Sequence, residues 1–458
     1  MQCIYKTINA DSYTPVIVFK KLHGIALLES AVLEGTNRYS FILLAISSVL
    51  SLTKNGIVET TAGQEILREQ DPRKFLDIVI EKGQAITIPE LPFPLPARGV
   101  GYLSYEFCRF CDTIKITEKP AAIEIPEACF LFGGAFIVFD HYRDDLHVVV
   151  IGDEAAALEN KIAGYLAALQ DNDYRAYTPD QTVYPALAEL PKKDAYLHGV
   201  AEIKKAITRG DLIQGVLSQQ LTVDSALPPF EAYCRLRREN PSPYLFYFDF
   251  RDFQLFGASP EIMVRLSGDA VTLKPIAGTR PRGQTPSADA ALEKDLLADE
   301  KERAEHLMLI DLARNDAGRI AVPGSVKVVN SFFIERYAYV MHIASEVRAQ
   351  KLPAAGLADI IRSVFPAGTV SGAPKIKAIE LIAEQEPRRR GAYAGLIGYF
   401  DVNGSFDSCI TIRSVLHQGQ KFIAQSGAGI VYDSVPEKEY EETLNKARAT
   451  IRALGVSI

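Results

Sequence analysis

The chain carries no basic tail or stripe, no apolar run long enough to cross a bilayer and no paired-cysteine framework. Its net charge of −7 argues against nucleic acid as a partner, and its longest apolar run, Phe41 to Leu52, is broken by serines. The opening residues, Met1-Gln-Cys-Ile-Tyr-Lys6, show no basic flank followed by a hydrophobic block, so no secretory signal is expected and the cytoplasm is the expected compartment. Six cysteines are scattered at 3, 108, 111, 129, 234 and 409, which suggests reduced thiols in a chain of this size. Cys108-Arg-Phe-Cys111 has the spacing of half a zinc site, but no second Cys or His pair completes it, so both are expected to be packing residues. There is no internal repeat, phosphate-binding Gly-x-x-x-x-Gly-Lys-Ser/Thr loop, Rossmann fingerprint, Ser-His-Asp order or nucleophilic Cys motif.

What is there is a core-forming chain. Its 458 residues are 48% hydrophobic, enough for two or three domains or one large interleaved one. Short β-rich runs (Phe41 to Leu52, Phe130 to Phe139, Leu146 to Ile151) alternate with Pro/Gly punctuation up to about residue 170. A polar, proline-containing connection follows near Asp171 to Pro191. Asp194 is expected to cap a helix carrying Tyr196, Val200, Ile203 and Ile207 at helical spacing before Gly210 stops it. Strand-like runs come next (Gln214 to Thr222, Tyr244 to Phe250, Gln254 to Phe256, Ala270 to Leu273), and then long helical segments alternating with β-rich ones. Strands and helices do not alternate regularly, which predicts an α+β fold of large antiparallel or mixed sheets packed with helices.

The chemistry-bearing residues are carboxylates and glycines. Glu302 and Glu305, three apart on a predicted helix over 299–312, project from one face. Ser434-Val-Pro-Glu437 reads as a capping box opening a second helix, on which Glu439, Glu442 and Lys446 lie away from the apolar stripe of Tyr440, Leu444, Ala447, Ile451 and Leu454. Two such helices could meet over one hard divalent cation, although Glu pairs on helices are more often solvated faces. Phe365-Pro-Ala-Gly-Thr-Val-Ser-Gly-Ala-Pro374 leads into a helix with Ile376, Ile379 and Ile382, offering free amides at a helix N-terminus. Gln425-Ser-Gly-Ala-Gly429 is expected as a loop after a strand, and Arg413 within a strand Ile410-Thr-Ile-Arg413. Each loop alone is more often a tight turn. Taken together, these features describe a pocket for a small molecule with several carboxylates.

Four long motifs then occur in order: residues 275–283 (Pro-Ile-Ala-Gly-Thr-Arg-Pro-Arg-Gly), 304–316 (Ala-Glu-His-Leu-Met-Leu-Ile-Asp-Leu-Ala-Arg-Asn-Asp), 390–400 and 425–446. With them the chain resembles the chorismate-utilising enzymes, and within that family the anthranilate synthase components I, over roughly residues 195–455. The resemblance implies a chorismate-binding catalytic domain over 190–458, with 1–175 as an N-terminal α+β region interleaved with it. It implies Mg²⁺-dependent attack of ammonia on C2 of chorismate with departure of the C4 hydroxyl, then elimination of pyruvate to leave anthranilate. Glu305 and Glu442 match the metal ligands, with Glu302 and Glu439 close by. Tyr393 and Arg413 match the residues that hold the enolpyruvyl carboxylate, Gly427 and Gly429 the backbone donors, Thr369 and Gly278 pocket-lining positions, and Lys446 a further substrate contact. Glu261 matches the general acid of related isochorismate-forming enzymes, and His342 a proton-handling or electrostatic partner, the plainer reading of which is a satisfied core histidine.

Two positions discriminate within the family. Gln214 stands where water-activating relatives carry lysine, and Ala277 where typical aminodeoxychorismate synthases carry a nucleophilic lysine, so 2-amination is expected over 4-amination. Lys274, three residues earlier, keeps component I of aminodeoxychorismate synthase as the alternative. A non-catalytic chorismate- or tryptophan-binding subunit is a second one. No glutaminase segment is evident, so the resemblance implies a separate glutamine amidotransferase subunit supplying ammonia. It also implies tryptophan as a feedback inhibitor, held by Glu29 and Ser30 in Leu27-Leu-Glu-Ser30 and by Asn240, Pro241, Ser242 and Tyr244 in Asn240-Pro-Ser-Pro-Tyr-Leu-Phe246. The plain reading of Asn-Pro-Ser-Pro is a turn.

Overall fold

The computed structural model describes residues 1–31, 38–171, 184–337 and 340–456. Most of the expected connection near 171–191 therefore lies outside the described residues. Two long strands, Tyr39–Thr53 and Ala128–Asp140, form the spine and pair antiparallel along their length. Their register slips between Leu43 and Ser48, the kind of bulge that lets a strand turn. Gly133 sits opposite Ile46, where a Cβ would come within 2.3 Å of the Leu43 and Phe136 side chains. On either side of this slip the two strands take different neighbours, so they belong to two sheets at once.

The first sheet runs outward from Val49–Thr53 and Ala128–Leu131. On one side it continues through Gly56–Thr61 and Gln64–Glu69. On the other it passes through Val100–Leu103, Leu396–Phe400, Phe406–Ile410, Ile262–Ser267 and Ala270–Leu273 to Val340–Gln350, which also pairs with Ile276–Pro281 and Lys327–Arg336. The second sheet starts from the other halves of the spine. It passes through Asp145–Gly152 to Gln2–Asn9 on one side. On the other it passes through Ala26–Glu29, Tyr244–Asp249, Gln254–Ser259, Ser414–Gln418 and Lys421–Ile430 to Gln214–Ser225. These pairings are antiparallel, and they join the first 170 residues to the last 260 at several places.

A second crossing between the sheets positions the chemistry. Gln254–Ser259 lies in the second sheet and Ile262–Ser267 in the first, so the chain changes sheets at Pro260-Glu261. Its neighbour does the same in reverse between Phe406–Ile410 and Ser414–Gln418. Arg413 stands in that break with φ +52°, and it is not the strand residue expected from Ile410-Thr-Ile-Arg413. The crossings are tied side by side by Ile410 N–H to the Glu261 carbonyl (3.0 Å) and Ala258 N–H to the Arg413 carbonyl (3.0 Å).

Helices cover the sheets. Lys193–Arg209 buries Tyr196, Val200 and Ile203 and stops at Gly210 with φ +85°, as its pattern requires, but its N-cap is Lys192 and Asp194 lies within the first turn. Helix Glu300–Gly318 is capped by Asp299, which accepts from the Lys301 and Glu302 amides. Helix Pro436–Ala453 buries Tyr440, Ala447 and Ile451. Its expected capping box does not form: Val435 is the N-cap, and the Ser434 hydroxyl accepts from the Val431 amide at 3.0 Å. The six cysteines are free thiols, with Cys108, Cys129, Cys234 and Cys409 buried. None of the described helices is long and apolar enough to cross a membrane.

Candidate active site

Gln425-Ser-Gly-Ala-Gly429 is not a loop after a strand. It is the end of Lys421–Ile430, beyond Ala424, where among the described residues only Gln214–Ser225 pairs with it. In an antiparallel ladder the N–H and C=O of one residue face the same side. Lys446 Nζ donates to the Gly427 carbonyl at 3.1 Å, so the Gly427 amide, and that of Gly429 two residues on, face away from the partner strand. Ser218 and Val216, their register partners, likewise send their amides outward, to Glu386 and to the Ser371 carbonyl. Glycine is required here by neighbours. A Cβ on Gly429 would lie 2.5 Å from Gln214 Nε2 and 3.4 Å from Glu305 Oε1, and one on Gly427 3.1 Å from the Tyr393 hydroxyl.

The carboxylates converge on this edge from two helices. Gln214 Nε2 donates to Glu305 Oε1 at 2.9 Å. Lys446 Nζ bonds Glu442 Oε1 at 2.6 Å one turn along its helix. Burial raises the Glu305 pKa, and the Glu442 charge raises it further, while Gln214 and Lys446 work the other way. The two glutamates expected to share a cation lie near enough for the charge of Glu442 to act on Glu305. Glu302 is raised by burial and by Glu305, and lies 3.6 Å from Arg280. Glu439 is raised by burial, with Ser434 opposing and Glu442 adding repulsion. Gly278, at φ +65°, lets the backbone pass where a Cβ would be 3.0 Å from Glu302 Oε2.

Among the described residues no three acidic, His or Cys side chains form a metal cage. Mg²⁺ needs less than that, because it commonly takes one or two carboxylates and fills the rest of its shell with water and substrate oxygens. Glu305 and Glu442 fit such a role: the first is half-buried, both are oxygen donors, and their mutual repulsion is what a cation between them would relieve.

Arg413 extends toward the same space. Its Nη1 donates to the Lys446 carbonyl, and it meets no carboxylate within ion-pair distance among the described residues. Burial lowers its pKa, partly offset by Tyr393 and Glu442. Burial pushes the Tyr393 phenol up to about 12. A half-buried guanidinium without an acid partner among the described residues, near the Tyr393 phenol, is suited to an incoming carboxylate.

Glu261 and His342 both lie within reach of the Lys446 charge. Glu261 is 6% exposed, and burial pushes its carboxyl up to about 8, against the Thr369 hydroxyl, the Ile276 amide and Lys446. Thr369 Oγ1 faces it without a well-formed hydrogen bond. His342 Nδ1 lies 2.9 Å from the Gly278 carbonyl and 3.0 Å from Thr279 Oγ1. A carbonyl can only accept, so Nδ1 carries the proton and Nε2 keeps its lone pair. Burial lowers the imidazole to about 4, so it is neutral near pH 7. Lys274, the residue that kept 4-amination open, is bound by Glu335, whose other oxygen accepts from Tyr337 at 2.9 Å.

The expected regulatory residues come together only in part. Pairing of Ala26–Glu29 with Tyr244–Asp249 brings Leu28, Glu29 and Ser30 beside Tyr244 at a recess of about 50 Å³, lined also by Tyr39, Phe41 and Tyr399. Glu29 is engaged by Tyr233 (2.6 Å) and by both prongs of Arg237 (3.0 Å each). Tyr244 bonds Asp407 at 2.9 Å. Asn240, Pro241 and Ser242 do not line the recess. Asn240 Nδ2 instead holds the Ala258 carbonyl at 3.2 Å, and the Ser242 carbonyl accepts from Ala31.

Sequence reasoning missed the support beneath this site. Arg390 is buried and bound by Glu386, and donates to the Val370 and Val216 carbonyls. Glu386 in turn accepts from the Ser218 amide and hydroxyl. This pair pins the Gly368–Val370 turn, the glycine-edge strands and Tyr393 to one another. Its i,i+4 spacing was visible in sequence, but its burial was not.

Comparison with known proteins places this chain in a class. The family model described as chorismate binding enzyme matches residues 35–452, and the chain belongs to the chorismate binding enzyme family. Within that family its relatives include anthranilate synthase component 1 of Spirochaeta aurantia, 44% identical over 100% of this chain and 96% of the relative, and that of Pseudomonas putida, 39% identical over 98% and 94%. The crystal structure of anthranilate synthase component I from Streptococcus pneumoniae TIGR4 superposes with a TM-score of 0.80 at 35% identity, covering 97% of this chain and 98% of that one. The menaquinone-specific isochorismate synthase of Escherichia coli, at 18% identity and TM-score 0.73, shares the fold.

Proposed function

We propose that this chain is the synthase component of an anthranilate-forming enzyme, aminating chorismate at C2 with ammonia and then releasing pyruvate. The observation that carries the reading is that Glu305, Glu442, Lys446 and Arg413 gather at one glycine-edged strand end, with Glu261 and His342 within reach of the Lys446 charge. The full-length relatives named anthranilate synthase component 1 support it. In this reading Arg413 and Tyr393 grip the enolpyruvyl carboxylate, and the Gly427 and Gly429 amides hold a second anionic oxygen. Mg²⁺ held by Glu305 and Glu442 would neutralise the ring carboxylate. Hydroxide leaves poorly, so Glu261, protonated at neutral pH, gives its proton to the C4 oxygen, which departs as water. Neutral His342, with Nε2 free to accept, removes the C2 proton as the C3–O bond breaks and pyruvate leaves as its enolate, which takes a proton from solvent.

Amination at C4 through a lysine adduct has little support. Ala277 offers only a methyl group, and Lys274 is already paired with Glu335. We further propose a glutamine amidotransferase partner, in keeping with the component 1 naming of the relatives, and tryptophan as an inhibitor at the Leu28–Ser30 recess. The purified chain with chorismate, Mg²⁺ and ammonium should form the fluorescent 2-amino product, and glutamine alone should not replace ammonium. A 4-amino product, or chorismate left intact, would refute the assignment.

A further inference from the structure

Among the cavities that the steps above leave unused, one adjoins the acid. It measures about 40 Å³ and is lined by Glu261, Thr369 and Asp316, with Leu312 and Ala313 of helix Glu300–Gly318 as part of its wall. Asp316 closes the 304–316 motif and is 7% exposed. Lys375, which follows the 365–374 loop, binds its Oδ2 at 2.7 Å and is itself held by the Val364 carbonyl at 3.1 Å. Asp316 Oδ1 accepts no hydrogen bond from the described residues, and Thr369 Oγ1, which faces Glu261, makes no well-formed one. Two motifs of the sequence thus meet in an ion pair that touches neither the glycine edge nor the carboxylates around Glu305.

Glu261 must be reprotonated in every turnover. Its proton leaves as part of water from C4, while the attacking ammonia sheds one of its own protons to base and solvent, so the totals balance but the positions do not. With the ring over its front, the carboxyl can be refilled from behind. A space of this size admits about two waters, and water needs polar partners such as the Thr369 hydroxyl and Asp316 Oδ1 provide. We propose that this cavity is the return path for the proton, with Asp316, fixed by Lys375, orienting the water that passes it to Glu261. Asp316 is then a positioning residue that never contacts chorismate. The charged groups facing it are Lys375 and Arg319, and those near Glu261 are Lys446 and, on the cavity wall, Lys274. The inference rests on Glu261 being the acid of the proposed reaction.

Two variants test it. Asp316→Asn removes the ionisable group but keeps its shape, and Ala313→Val narrows the cavity without touching a charge. With ammonium as nitrogen donor, each should lower kcat by about 5-fold or more, leave KM for chorismate within about 2-fold and raise the solvent deuterium isotope effect on kcat, because proton return becomes slow. If both variants keep the native melting temperature and show unchanged kcat and isotope effect, or if kcat falls with the isotope effect unmoved, the path is refuted. Should Asp316→Asn fail to fold, Ala313→Val carries the test by itself. Absence of chorismate turnover by the native chain would instead strike the function on which the path depends.

Discussion

A carboxyl that donates a proton near pH 7 and an imidazole that accepts one need opposite displacements, and burial supplies both because it penalises whichever form is charged. Glu261 rises to about 8 and His342 falls to about 4. Measured at constant free ammonia, kcat should therefore fall on the alkaline side as Glu261 ionises through about 8, and on the acid side as His342 protonates toward about 4. The same shifts act on stability. The raised carboxyl costs stability as pH rises through its folded value, and the lowered imidazole costs it as pH falls toward its own. Glu261→Gln should abolish the alkaline limb and reduce kcat by ~10²-fold or more. A retained limb would assign it to another group. At this scale the sequence was informative where a residue's identity decides chemistry, as at Ala277, Gln214 and Glu261. It was silent on partners: nothing in the spacing of Lys274 indicated that Glu335 binds it, or that Gln214 holds Glu305.

At the scale of elements, the β-rich runs with strong hydrophobic content were readable, and Tyr39–Thr53, Ala128–Asp140, Gln254–Ser259 and Ala270–Leu273 contain the expected segments. Reading failed where glycine erased the pattern. Gln425 to Gly429 looks like a loop by composition, yet continues a strand, because its pairing to Gln214–Ser225 needs backbone and not side chains. Ser434-Val-Pro-Glu437 failed differently: the Ser434 hydroxyl turned back to Val431 and left Val435 as the cap. Since Gly429 is not held by a positive φ, Gly429→Ala tests close approach apart from backbone strain. The added methyl displaces Gln214 from Glu305. Activity at limiting chorismate should drop by about 10-fold or more, while Tm moves by less than about 3 °C. A large loss of Tm would make the glycine a folding requirement.

At the scale of the whole molecule, the α+β class with large antiparallel sheets was legible, but the way the two sheets share Tyr39–Thr53 and Ala128–Asp140 was not, because it depends on pairings between residues as far apart as Val100–Leu103 and Leu396–Phe400. No local pattern encodes which distant strand will be a neighbour. That architecture gives the recess at Leu28–Ser30 a short mechanical route to the acid. The recess wall at Tyr244–Phe246 pairs residue by residue with Gln254–Ser259, which ends two residues before Glu261, and Asn240 holds Ala258 on that same strand. A ligand seated in the recess bears directly on these strands, so the proposed tryptophan binding should favour a state in which the Ser259–Glu261 crossing is displaced. Linkage then requires reciprocity: tryptophan must weaken chorismate by the same factor that chorismate weakens tryptophan. Calorimetric titration of tryptophan, with and without saturating chorismate in the absence of ammonia, should give that factor twice, and Asn240→Ala should shrink it while sparing chorismate affinity. Equal tryptophan affinity in both titrations would leave the recess uncoupled from the site.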